Sequence, residues 1–271
     1  QIYFNKSTII NVFLICFFSS LALYTRQYLI FFTIFFILDL LFVKKNFKIF
    51  YLSLVFLVPF SIPGLMLIYT WGGFYDSLNF TGNLVQEYHH PKYILRNLPF
   101  LFSFFAFYLF PFFILEMKKL GINKIFKKYY LSFFIYFITI IILIFLGFFD
   151  FLEDLKIGGG ALLKIDYLLF NKSLVFFALM SSLGFCLLFE IIKQNSKFNL
   201  ILFFSLFIFC FPQFILQEYY EPLVIFLYLL LFNHSLSFIF KQNINFSHFV
   251  IISYFTIYLL GSFYYRYFLF A

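Results

Sequence analysis

Residues 97–149 read NLPFLFSFFAFYLFPFFILEMKKLGINKIFKKYYLSFFIYFITIIILIFLGFF, and this stretch decides the fold. Its two apolar runs, 97–115 and 130–149, are each close to the roughly 20 residues that a helix needs to cross bilayer hydrocarbon. Between them stand Glu116, Lys118, Lys119, Lys124, Lys127 and Lys128, and neither run contains a charge. A membrane β-barrel would require strands that alternate apolar and polar residues, and that alternation is missing. A helix satisfies its own backbone hydrogen bonds, which is what a segment in lipid requires.

The same pattern extends in both directions. Further apolar runs at 7–25, 28–43, 49–69, 173–192, 198–216, 223–240 and 246–265 bring the expected number of transmembrane helices to about nine. The expectation is an all-α polytopic membrane protein, with residues 1–271 forming one transmembrane domain. The second run is short and carries Asp39 near its end, which leaves its boundary the least defined. Composition agrees: 64% of residues are hydrophobic, 11% are charged and mean hydropathy is +1.00. A soluble domain carries about 25% charged residues. The 53 Phe and 21 Tyr receive no functional weight, because AT-rich coding alone favours them. Cys16, Cys186 and Cys210 lie inside apolar runs without CxxC or metal spacing and read as small apolar residues. The chain begins with Gln1, and its first run is followed by Thr25-Arg26-Gln27 instead of a small-residue cleavage site. That run is therefore expected to be a helix and not a signal peptide. The chain is expected to be the C-terminal portion of a longer one.

Orientation follows from the cations. Alternating the connections between two sides puts Lys6, Lys44, Lys45, Lys48, Lys118, Lys119, Lys124, Lys127, Lys128, Lys193, Lys197 and Lys241 on one side. Its short Lys-rich loops make that side cytoplasmic. The other side holds Arg26, Lys92, Arg96, Lys156, Lys164, Lys172 and Arg266 with most of the acids. It also has the two longest loops, about 70–97 and 150–172. The net charge of +8 is thus accounted for by topology. Nucleic acid is not an expected partner, because the basic residues are short clusters between helices.

Function is expected in the outer loops, since a loop this long between membrane helices is usually functional. The first contains TWGGFYDSLNFTGNLVQEYHHPKYILRN, residues 70–97, with Trp71, His89, His90 and Arg96. Trp71 suits either an interfacial anchor or a ligand contact. Asn79-Phe80-Thr81 fits the glycosylation pattern, although three residues make a weak motif. Adjacent histidines diverge on a helix, so phosphate or hydroxyl contact is favoured over a metal, and no cofactor is expected. The second loop contains Gly158-Gly159-Gly160 without a following GK[ST], then ALLKIDYLLF, which has the pattern of a short interfacial helix. Gly-rich backbone reaches positive φ readily. Arg26-Gln27 lies at an outer helix end, where a charge is a default site candidate or a residue that snorkels. QEYYEP (Gln217 to Pro222) forms a tight outer connection carrying Glu218, Tyr219 and Glu221, suited to sugar hydroxyls or to a solvated turn. His234 and His248 read as interfacial residues. No SxxK, GxSxG or HExxH pattern supports a hydrolase, and no Walker motif supports a nucleotide-driven pump.

In order, Arg26-Gln27, Trp71-Gly72-Gly73 entering a long loop, a glycine-containing outer loop and a late E-x-x-E-P turn resemble the C-terminal part of GT-C class glycosyltransferases. The nearest resemblance is to the alpha-1,2-glucosyltransferase family that adds the terminal glucose to lipid-linked oligosaccharide. That family has a basic residue before its late Tyr, where this chain has Glu218. The resemblance implies a polyprenyl-phosphate sugar as donor and a lipid-linked glycan or similar acceptor, with transfer on the non-cytoplasmic face. It implies substrate contacts from Arg26, Gln27, Trp71, His89, His90, Arg96, Glu218, Tyr219 and Glu221. It places the catalytic acid in an outer loop expected upstream of Gln1. The membrane would be the bacterial inner membrane or the endoplasmic reticulum. The other reading is a transporter or flippase for a lipid-linked or small anionic solute. Pro59, Pro63 and Gly64 in one run and Pro111 in another suit broken helices, but no second half matches the first.

Overall fold

The computed structural model describes residues 9–25, 30–71, 93–147, 160–170, 173–194, 196–206 and 244–264. All regular structure among them is helical. The elements are α1 (Ile9–Thr25), α2 (Ile30–Leu38) continued by a π-turn (Asp39–Val43), α3 (Phe47–Trp71), α4 (Tyr93–Leu120), α5 (Ile122–Phe145), α6 (Gly160–Leu169), α7 (Val175–Gln194), α8 (Ser196–Leu206) and α9 (Ile244–Tyr264).

Five of the described helices are long and apolar enough to cross a membrane: Phe47–Gly64, Ile94–Leu120, Ile122–Phe145, Val175–Gln194 and Asn245–Tyr264. Two shorter apolar helices cover Ile9–Leu21 and Thr33–Val43. The chain is therefore a helical protein with the character of an integral membrane protein. The expected run at 198–216 is described as helix only through Leu206, and the run at 223–240 lies outside the described residues.

The structure differs from the expectation around residues 116–129. In place of a charged loop between spans, α4 runs on to Leu120 and α5 begins at Ile122. Hydropathy marks only the part of a helix that sits in hydrocarbon, and helices continue into the headgroup region without penalty. With 28 residues, α4 is about 42 Å long, against roughly 30 Å of hydrocarbon. The corner is a single residue, Gly121, at φ 81 and ψ 150. That region of backbone space is essentially restricted to glycine. The Gly121 amide donates to the Met117 carbonyl (2.9 Å), while its own carbonyl accepts from Ile125 (3.2 Å).

The chain packs as two compact units, Gln1–Asn97 with Asn195–Phe214, and Leu98–Gln194 with Ile215–Ala271. In the first, α1 lies against α3. Val12, Cys16, Phe36, Leu40 and Leu57 form its core. Phe13 meets Phe56 and Phe60 edge-on, both at 5.4 Å. From α2, Phe35 meets Phe198 of α8 at 5.2 Å. Serines inside α3 would be costly unless their hydroxyls found acceptors. Ser53 and Ser61 each donate to the carbonyl one turn back, Ile49 and Leu57, at 2.7 Å. Pro59 and Pro63 leave α3 helical throughout, so this run is not a broken helix. The π-turn closes with the Lys44 amide on the Asp39 carbonyl (2.9 Å). Asn46 then caps α3 through its Oδ1, which accepts from the Ile49 amide at 3.1 Å.

In the second unit α4 is central: 72% of its apolar window is buried, against 11% for α5 and 6% for α9. Helix α7 approaches α4 backbone to backbone. A Cβ added to Gly184 would lie 1.8 Å from the Phe102 carbonyl oxygen and 2.9 Å from the Ala106 nitrogen. Lipid chains are as apolar as leucine, so helices in a bilayer gain most from such close packing at small residues. Aromatic contacts complete the unit, including Tyr136 stacked on Phe185 at 4.4 Å and Tyr258 against Phe107 at 4.7 Å. The Tyr254 hydroxyl donates to the Phe107 carbonyl (3.0 Å).

Candidate functional site

The charged groups described in the second unit gather at its two ends. At the lysine-rich end, the last turn of α4, the start of α5 and the last turn of α7 build an ion-pair chain. Glu116 is 3% exposed, yet its carboxylate is fully engaged. Lys128 Nζ donates to Oε1 at 2.7 Å, and Tyr129 Oη donates to Oε2 at 2.8 Å. Lys128 also donates to Tyr129 Oη at 3.0 Å. On its far side Lys128 lies 4.0 Å from Glu190 Oε2, whose other oxygen accepts from Lys193 at 2.8 Å. Below this chain Cys186 Sγ contacts Ser132 Oγ at 3.4 Å. Every acid here has a cation, and the arrangement is that of a structural clamp joining three helix ends.

The opposite end is chemically different. Helix α6, which matches the short helix expected from ALLKIDYLLF, opens at Gly160 with φ 74. Its Asp166 is fully buried. Asp166 Oδ1 accepts from the Phe176 amide at 3.2 Å and so caps the start of α7 from outside that helix. Oδ2 has no hydrogen-bond partner among the described residues. Burial raises the Asp166 pKa above the ordinary carboxylate value, and hydrogen bonds from Phe176, Leu174, Phe177 and Ser173 oppose that rise. Phe176 and Glu190 are separated along α7 by about 21 Å. The two polar ends are therefore most of a bilayer's hydrocarbon apart.

A third buried acid belongs to the first unit. Asp39 is fully buried in the π-turn. It helps to hold the charge of Lys44, whose pKa burial lowers.

Of the residues expected to contact substrate, Arg96 lies in the first turn of α4 and is half-buried, and Trp71 is the last residue of α3. Arg26, Gln27, His89, His90, Glu218, Tyr219 and Glu221 lie outside the described residues. Among the described residues, no group of three or more His, Cys, Asp or Glu is placed to hold a metal ion. Sequence reasoning singled out neither Asp166 nor the Glu116 chain. The available signal for Asp166 was an acid at the sixth residue after a glycine run, in a helix otherwise apolar on that side. No protein-family model, curated protein or solved structure matches the chain.

Proposed function

We propose that this chain belongs to a membrane glycosyltransferase of GT-C-like organisation. It would move a sugar from a polyprenyl-phosphate donor to the hydroxyl of a lipid-linked glycan or similar acceptor on the non-cytoplasmic face. The observation that carries this reading is Asp166, a buried carboxylate with one oxygen committed to a helix cap and the other without a partner among the described residues. Such perturbed acids concentrate at functional sites. In the transfer, the acceptor oxygen bonds to the anomeric carbon, the bond from that carbon to the phosphate oxygen breaks, and polyprenyl phosphate leaves. The leaving group is anionic, so cations suit the donor phosphate. Asp166 Oδ2 accepts the hydrogen bond of the acceptor hydroxyl and orients it, while an outer-loop carboxylate takes its proton as base. The lysine-rich end faces the cytoplasm in this arrangement.

The test uses membranes containing the complete protein and a radiolabelled polyprenyl-phosphate hexose. Asp166→Asn keeps an oxygen for the Phe176 amide but removes the charge. It is expected to raise the acceptor KM at least tenfold while thermal stability is retained. Asp166→Leu removes the cap as well and is expected to lose about 1 kcal/mol of stability. Unchanged acceptor KM in Asp166→Asn would remove Asp166 from the site, and absence of any labelled product from the wild type would remove the transferase.

One observation favours a transporter or flippase instead. An acid buried in a π-turn at a helix end, as Asp39 is, recurs at ion-coupled sites. Proton-coupled uptake of an anionic solute that Asp39→Asn abolishes would select that reading.

A further inference from the structure

We infer that the corner between α4 and α5 binds the headgroup of an anionic phospholipid, with its acyl chains along the outer face of α5. The inference is independent of the proposed transfer reaction. Of the lysines at this corner, two are occupied: Lys128 pairs with Glu116, and Lys118 Nζ sits 3.3 Å from the centre of the Phe246 ring. Lys119, Lys124 and Lys127 are exposed, and none of them forms an ion pair with an acid among the described residues. The acids of this end, Glu116 and Glu190, are already neutralised by Lys128 and Lys193. Three cations therefore stand together with no acid among the described residues paired to them.

Beside them begins an apolar stripe. Leu131, Phe134, Ile135 and Ile138 lie on the helix face of Lys124 and Lys127 and are 61%, 48%, 60% and 54% exposed. The stripe continues through Ile142 and Phe145 to the other end of α5, both more than half exposed. Positions four apart share a helix face. One face of α5 thus presents cations at one end and a long hydrocarbon surface along the rest. This is the complement of an amphiphile with a negative head and long chains. A soluble phosphate would use the lysines alone and leave the stripe bare.

The full chain, purified and placed in nanodiscs of phosphatidylcholine with increasing phosphatidylglycerol, supplies the test through native mass spectrometry of retained lipids. Wild type is expected to retain phosphatidylglycerol in preference, and the preference should weaken as salt is raised. The triple variant Lys119→Gln/Lys124→Gln/Lys127→Gln should lose roughly tenfold or more of that preference, because each juxtamembrane lysine attracts anionic lipid. The corresponding triple Lys→Arg variant should keep it. Leu131→Gln/Ile135→Gln should lower lipid retention with the lysines intact. Equal retention of both lipids by wild type, or full preference in the triple Gln variant, would overturn the inference. So would displacement of the lipid by millimolar inorganic phosphate, or a dimer in solution that covers the outer face of α5.

Discussion

At the scale of single residues, the buried charges of this chain fall into two kinds. Glu116 has its oxygens filled by Lys128 and Tyr129, so its cost is already offset by partners at 2.7 and 2.8 Å. Removing one partner of a buried pair leaves a stranded charge, at about 3–5 kcal/mol. Lys128→Met is expected to destabilise the protein toward the lower end of that range, because Lys128 is partly exposed. Adding Glu116→Gln should recover a measurable share of the loss in a double-mutant cycle read by thermal unfolding in detergent. Strict additivity would show that the pair is not coupled. Asp166 is the other kind, with one oxygen left over. None of this pairing was legible in the sequence, where Glu116 and Lys128 read as two members of a charged connection. Eleven intervening residues conceal a contact that exists only because Gly121 turns the chain back at once.

At the scale of elements, the apolar runs marked helix identity well and helix ends poorly. The runs at 97–115 and 130–149 became helices of 28 and 24 residues, since charge forbids hydrocarbon but not helix. The short helix in ALLKIDYLLF was legible because its apolar residues recur at helical spacing, and it spans Gly160–Leu169. Proline was misleading: Pro59 and Pro63 suggested a broken helix, and α3 is continuous. Neighbouring helices and serine hydroxyls re-satisfy the backbone groups that proline frees. The packing of α7 on α4 depends on Gly184, where there is no room for a Cβ beside the Phe102 carbonyl. Gly184→Val is expected to force the helices apart and cost about 1–3 kcal/mol. Thermal unfolding measures the loss, and a variant as stable as wild type would mean that the two helices do not meet there. By contrast Gly261, with open space around it, should tolerate the same change.

At the scale of the whole molecule, the distribution of lysines and acids was the strongest signal, and it organises the second unit into two unlike ends. One end gathers Lys118 to Lys128 with Lys193, and the other carries Asp166 with Lys164 on α6. The most direct measurement is maleimide labelling of single cysteines in a background without Cys16, Cys186 and Cys210, using intact and permeabilised cells. Lys164→Cys should react in intact cells, and Lys124→Cys only after permeabilisation. Labelling of both in intact cells, of neither until permeabilisation, or in the reverse order would contradict a membrane-spanning chain with its lysine-rich end inside.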